Sequence, residues 1–203
     1  MFDQVIAQLA GDGVEQLSRA AVGDRMAAGR RLQAALTAWM GRLSCHADGL
    51  GDGGLDGAGM LRVEARMSST AATAASRTAT VLEELPSAAA SLAAGRITAE
   101  HARTLVHAAE KVATGKVDAE LVAVAEAAPA DLFARRAREW VGRNQDPESV
   151  ADDHDRARRQ RNGSLRVRRD GVRVLHVEFD PVTGREVESH LADACDTAWR
   201  KEG

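Results

Sequence analysis

The stretch LAAGRITAEHARTLVHAAE, Leu92–Glu110, decides what kind of fold this chain can have. Gly95 suits the left-handed C′ position that closes one helix, and Thr98 is a residue type that opens the next. Beyond Thr98, Ala102, Leu105, Val106 and Ala109 recur at i, i+3, i+4 and i+7, the period of a helix with one apolar face. Two helices meeting at a short corner give the outline of a helix-turn-helix. A recognition helix, however, presents basic or amide side chains at its start to reach base edges. Here that start is Thr98, Ala99, Glu100 and His101, with only Arg96 and Arg103 nearby. The corner reads as bundle architecture, and any contact with DNA is expected further along the chain.

Working outward, the same helical grammar covers most of the sequence. A chain of 203 residues is long enough to bury a real core in one domain. Its apolar residues are mostly Ala, Leu and Val; Tyr is absent, and Phe and Trp number three each. Alanine-rich helices approach closely and need few aromatics, which favours helices over a β-sandwich. Upstream, Phe2, Val5, Ile6 and Leu9 make a short apolar stripe ending at Gly11-Asp12-Gly13. A helix of roughly 14–46 follows, with a break expected near Gly23-Asp24, and Leu32, Leu36, Trp39, Met40 and Leu43 fall on one of its faces. The segment 49–59 holds six glycines in eleven residues and is expected to be a mobile surface loop. Ser68 or Ser69 is a candidate N-cap for a helix to Leu85, and Pro86 suits the first turn of the next.

Downstream of the corner, Gly115 is expected to end a helix, Asp118 to start another to about Ala128, and Pro129 to open a third. In that third helix Phe133, Ala137, Trp140 and Val141 share a face, while Arg135, Arg138 and Glu139 point away. Asp146-Pro147-Glu148 looks like a further helix start, with acids first (Asp152, Asp153, Asp155) and arginines after. The period then changes. Leu165 and Val167 alternate with Arg166 and Arg168, Asp170-Gly171 signals a turn, and VRVLHVEF is rich in β-branched residues, so 164–179 is a β-hairpin. Asp180-Pro181 and Gly184 lead into a last helix, with Val187, Leu191, Ala194 and Ala198 as its core stripe. The expected fold is mainly α: a bundle of about seven to nine helices, one C-terminal β-hairpin and a final helix. Its parts are N-terminal helices over 1–48, the glycine-rich loop over 49–59, a central helical region over 60–163, and the hairpin and last helix over 164–203, together forming one domain.

Little in the chain suggests catalysis. The glycine-rich loop lacks a following Lys-Ser/Thr and a preceding strand, so it is no phosphate cradle. Asp48, Asp52 and Asp56 lack the alternate ligand positions of an EF-hand. His101 and His107 lie about 240° apart around a helix and cannot ligate from one face. Cys45-His46-Asp48 offers neighbouring ligand types without partners, His154 sits in a solvated acidic helix start, Glu186 and His190 read as a surface pair, and His176 as a sheet residue. Cys45 and Cys195 fit no metal or redox spacing, so a reduced, cytoplasmic protein is expected. The N-terminus is a poor signal peptide, and no apolar run is long enough to span a membrane. No cofactor or metal is expected.

The charge is more informative. The net charge is −3, and only residues 131–173 lean basic, with twelve basic and eight acidic groups. Arg135, Arg136, Arg138 and Arg143 come from one helix; Arg156, Arg158, Arg159 and Arg161 from the next; Arg166, Arg168 and Arg169 from the hairpin. Packed side by side, these elements could present a phosphate-facing surface. The bland alternative is a solvated face whose acids neutralise much of it.

The run ARMSSTAATAASRTATVLEELPSAAASLAAGRITAEHARTLVHAAE resembles the N-terminal region of the 13E12 repeat proteins, also described as domain of unknown function 222. Leu85-Pro86, Gly95, Ile97, His101 and Ala102 carry the likeness, with Phe179–Gly184 (FDPVTG) and Trp199 later. The likeness covers about 20–203. It implies a protein that continues into an HNH nuclease domain, whose histidines and asparagine bind a divalent metal. None of those residues can be placed here, so nuclease activity is not carried over and a divalent metal is expected only where an HNH domain is supplied elsewhere. The resemblance thus implies a non-catalytic, DNA-associated domain of an HNH-endonuclease-like protein, of mobile-element or phage origin. The competing expectation is a helical interaction module that forms a homodimer, or binds a partner protein, through its N-terminal helices, with no role for nucleic acid and no membrane.

Overall fold

The computed structural model describes residues 2–145, 159 and 162–202. Among them the elements run α1 (Phe2–Ala10), α2 (Arg19–Gly49), α3 (Gly57–Val63), α4 (Ser69–Glu83), α5 (Pro86–Ala93), α6 (Ala99–Ala109), α7 (Thr114–Ala127) and α8 (Ala130–Asn144). Then come β1 (Asn162–Val167), β2 (Arg173–Glu178) and α9 (Pro181–Glu202). The mainly helical class, the single hairpin and the last helix are as the sequence predicts. The chain divides into two compact units, Met1–Asn144 and Gln145–Gly203.

The Gly95 corner organises the first unit. Arg96 N–H donates to Ser91 C=O at 2.9 Å and Gly95 N–H to Leu92 C=O at 3.0 Å, a Schellman closure of α5 with Gly95 at φ +69°. The corner turns the chain into α6, which packs against α4, α5, α7 and α8. His101, Ala102, Leu105, Val106 and Ala108 of α6 are buried, around a core that includes Leu85, Leu92, Ile97, Val117, Leu121 and Phe133. Each fully buried Leu, Ile or Phe contributes roughly 1.5–3 kcal/mol. A helix so enclosed cannot lie in a DNA groove; the corner is architecture.

Several local expectations need correction. α2 passes Gly23-Asp24 without a break, starting at Arg19 behind Ser18, whose Oγ accepts from Ala21 N–H at 3.2 Å. Its inner face is not the bulky stripe. Ala34 and Ser44 are buried, and a Cβ on Gly41 would stand 3.0 Å from Ala79 Cβ on α4. Only small residues fit so close an approach, so Leu32, Leu36, Trp39 and Leu43 lie on the exposed side. The glycine-rich loop is shorter than expected, because Gly49 belongs to α2 and Gly57 opens α3. The reason is Asp56, whose carboxylate accepts from Gly59 N–H at 2.7 Å and caps the helix. Gly57 is itself buried against the Ser44 backbone, where no Cβ would fit.

α7 begins at Thr114 with Gly115 inside its first turn, and α6 has already ended at Ala109. Asp118 therefore starts no helix. It lies within α7 and caps another one: its carboxylate accepts from Ser87 N–H and Ala88 N–H, both at 2.9 Å. α5 needs this help, since Leu85 at its N-cap has no side-chain acceptor and Pro86 has no N–H.

In the second unit β1 and β2 pair antiparallel, with Leu165 opposite Leu175 and Ser164 opposite His176. Arg168 N–H bonds to Val172 C=O at 2.8 Å across the Asp170-Gly171 turn, Gly171 having φ +85°. Asp180, itself buried, caps α9 by accepting from Val182 and Thr183 N–H at 3.1 and 3.3 Å. The core stripe expected on α9 is not enclosed: Leu191 and Ala194 are exposed and Val187 half-buried. Ala198 lies outside the described side chains. Among the described residues of this unit, the two-stranded hairpin offers that helix little surface to pack on.

Candidate nucleic-acid interface

The basic groups with the clearest geometry are on α8. Its inner face drives Phe133, Ala137 and Trp140 into the core. The indole of Trp140 donates to Glu120 Oε2 on α7 at 2.9 Å, and Asn144 Nδ2 donates back to Trp140 C=O at 2.8 Å. Lys116 closes the tie, donating to Asn144 Oδ1 at 2.8 Å with its ammonium 6.0 Å from the Trp140 ring centre. α8 is thus clamped on one side, and Arg135, Arg136, Arg138 and Arg143 stand exposed on the other. At 3.6 residues per turn they fall within an arc of about 160°, over a rise of about 12 Å. Asp131 and Glu139 share the arc, leaving it net basic by two charges.

Several arginines elsewhere in the molecule are tied to partners. Arg25 pairs with Asp12 at 2.7 Å, Arg77 with Glu110 at 2.7 Å, Arg96 with Glu126 at 2.7 Å and Arg168 with Asp170 at 3.5 Å. Arg30 is spent on the corner, donating to Gly95 C=O at 2.7 Å. Among the described residues, no ion pair is formed by Arg135, Arg136, Arg138 or Arg143. Of the other expected contacts, Arg159, Arg166, Arg168 and Arg169 are exposed in the second unit. Arg156, Arg158 and Arg161, with His154 and the expected helix start at 146–148, lie outside the described residues.

Elsewhere the polar groups are built into the fold. Burial, and then the neighbouring Glu83 carboxylate, push the Cys45 thiol above its ordinary value, so it is a poor nucleophile. Asp48 accepts from Gly57 N–H at 2.6 Å. Among the described residues no three His, Cys, Asp or Glu side chains gather as metal ligands, and no helix is long and apolar enough to cross a membrane. A groove of about 690 Å³ runs between α2, α4, α5 and α6, walled largely by alanines such as Ala38, Ala75, Ala79 and Ala102.

Three polar clusters escaped the sequence reading. His101 lies flat on Phe133, its ring centre 5.5 Å away, and bridges the Thr98 hydroxyl at 2.7 Å to Ala128 C=O at 2.9 Å. Since Thr98 N–H donates to His101 Nδ1 at 3.3 Å, Nε2 carries the proton toward Ala128. Glu126 accepts from Arg96 Nε at 2.7 Å and from the buried Ser91 hydroxyl, and these bonds hold its carboxyl below the usual value. Asp118 is the third. A signal existed for it: a carboxylate beside Val117 and Val122, on the face of α7 that packs inward, needs buried donors.

The family model described as "Domain of unknown function (DUF222)" matches residues 19–203. The chain belongs to the DUF222 family. The match starts at the first residue of α2, so α1 alone among the described helices precedes the DUF222 region. No curated protein and no solved structure matches the chain significantly. Within the DUF222 region lie both the Gly95 corner and α8.

Proposed function

We propose that this DUF222 chain is a non-catalytic DNA-associated domain of an HNH-endonuclease-like protein, a 13E12-type element of mobile or phage origin. It holds phosphate backbone for a nuclease supplied elsewhere. The observation that carries the reading is the α8 arc, with four exposed guanidinium groups on a helix clamped from behind and no ion pair among the described residues. A rigid helix pre-organises such groups, and guanidinium forks match phosphate oxygens. The likeness of Leu85-Pro86, Gly95, Ile97, His101 and Ala102 to the 13E12 pattern supports the nuclease association.

Four phosphate contacts give a slope of about −3.6 in log K against log salt, so a fourfold rise in salt weakens their contribution on the order of a hundredfold. Fluorescence anisotropy on a labelled duplex tests this at two salt concentrations. Changing Arg135, Arg136, Arg138 and Arg143 to Glu is expected to abolish binding while leaving the melting temperature near wild type, because all four are exposed. No binding at low salt, or binding indifferent to that change, refutes the proposal.

A further inference from the structure

We infer, resting on the DNA reading proposed above, that α8 lies in the major groove of a duplex, with Arg135 and Glu139 turned to the base edges of a guanine- and cytosine-containing site. Arg135 marks the midline of the exposed arc, opposite the buried Phe133 and Ala137. Gly142 lies about 20° to one side of that midline and Glu139 about 40° to the other. Arg138 stands about 60° out on the Gly142 side, and Arg143 and Arg136 about 80° and 100° out on the Glu139 side. The arginine flanks thus straddle a middle strip made of Arg135, Glu139 and Gly142, all three exposed. Asp131, in the first turn, answers to the helix dipole; Glu139 has no such explanation.

Three features select the groove rather than the phosphate backbone as what faces the midline. Glu139 has Arg135 one turn before it and Arg143 one turn after, yet forms an ion pair with neither among the described residues. Phosphate would repel this free carboxylate, whereas the N4 amino group of cytosine donates to it, and Arg135 beside it matches guanine O6 and N7. The two side chains start about 6 Å apart along the axis, close to two base-pair steps. Gly142 is the second feature. Its φ is not left-handed and a Cβ there would meet nothing within 4 Å, so the chain's own fold does not ask for glycine, which weakens a helix. A bare Cα at the midline lets the helix settle on the base edges. Finally, the widths agree. A helix with its side chains measures about 10–12 Å across and the major groove about 12 Å, so Arg138 meets one strand's phosphates while Arg136 and Arg143 meet the other's.

Selection by the full chain from a randomised duplex pool is expected to enrich sites with guanine and cytosine about two steps apart. On such a site Glu139→Ala should lose about tenfold in discrimination against replacing the cytosine, and Arg135→Gln about as much at the guanine. Glu139→Ala should keep the salt slope, because Glu139 neutralises no phosphate. The wild-type slope is expected to be about −2.7 on the selected site, where three arginines hold phosphate, and about −3.6 on unrelated duplexes, where all four do. Gly142→Leu should melt at or above the wild-type temperature yet bind duplex at least tenfold more weakly. Wild type that binds duplex without preferring any sequence refutes this inference and leaves the DNA reading standing, whereas failure to bind any duplex removes both. A preference unchanged in Glu139→Ala, a duplex affinity unchanged in Gly142→Leu, or equal binding of the single strand also overturns it.

Discussion

Asp118 is the residue whose removal tests the fold most directly. It is 9% exposed, and its carboxylate is the acceptor for two N–H groups in the first turn of α5. Asp118→Ala leaves both donors without a partner where the surrounding packing admits little water. Loss of an N-cap alone costs about 0.5–2 kcal/mol, and a stranded buried donor about 1–3 kcal/mol. The two estimates overlap, because one of the two donors is the capped one, so about 3 kcal/mol is expected for the pair. In a chain of this size that lowers the melting temperature by roughly 6–12 °C. Asp118→Asn keeps one acceptor oxygen but turns an amide NH₂ toward the other donor, and should fall about midway. Urea unfolding followed by circular dichroism measures both, with an unchanged m-value showing that the same structure unfolds. Asp131→Asn is the control: this exposed acid in the first turn of α8 interacts with a helix dipole only, and is expected to cost no more than about 1 kcal/mol. The reasoning fails if Asp118→Ala costs no more than that control.

Gly95→Ala places a Cβ 2.6 Å from Arg31 Cα at a residue with φ +69°, and should cost about 2–4 kcal/mol by chemical denaturation; a loss below about 1 kcal/mol would mean that α2 yields there at little expense. Ser44→Ala removes the one buried side-chain oxygen without a partner among the described residues, so it should be neutral or stabilise by up to about 1 kcal/mol. Gly57→Ala, at the same contact, should be strongly destabilising in the same melt, since its Cβ would meet the Ser44 backbone. Glu126 has a depressed carboxyl, held down first by Arg96, so its stabilising effect is full above the ordinary Glu range and is lost as the pH falls through the lowered value. Wild type should therefore exceed Glu126→Gln in stability at neutral pH and converge with it in acid; parallel pH–stability curves would argue against the Arg96 pairing.

The outline of the fold was legible where a residue's chemistry acts on its own neighbours. Gly95 needed a left-handed φ, Pro86 a first turn, Asp170-Gly171 a tight hairpin, and Asp180-Pro181 a cap with its helix start; each found that place. Inference went astray where the partner was distant. Asp118 reads as a helix start because acids favour N-termini, and so it does serve one, but that helix begins 32 residues earlier in the chain. Periodicity revealed that α2 is two-faced without revealing which face turns inward, because bulk usually marks the core. Here α2 approaches α4 at Gly41 and Ala79 and α3 at Ser44 and Gly57, so small side chains are the buried ones. Of the candidate site, the sequence could identify the arginines on α8. It could not tell them from Arg25, Arg77 and Arg96, whose carboxylate partners lie 13, 33 and 30 residues away.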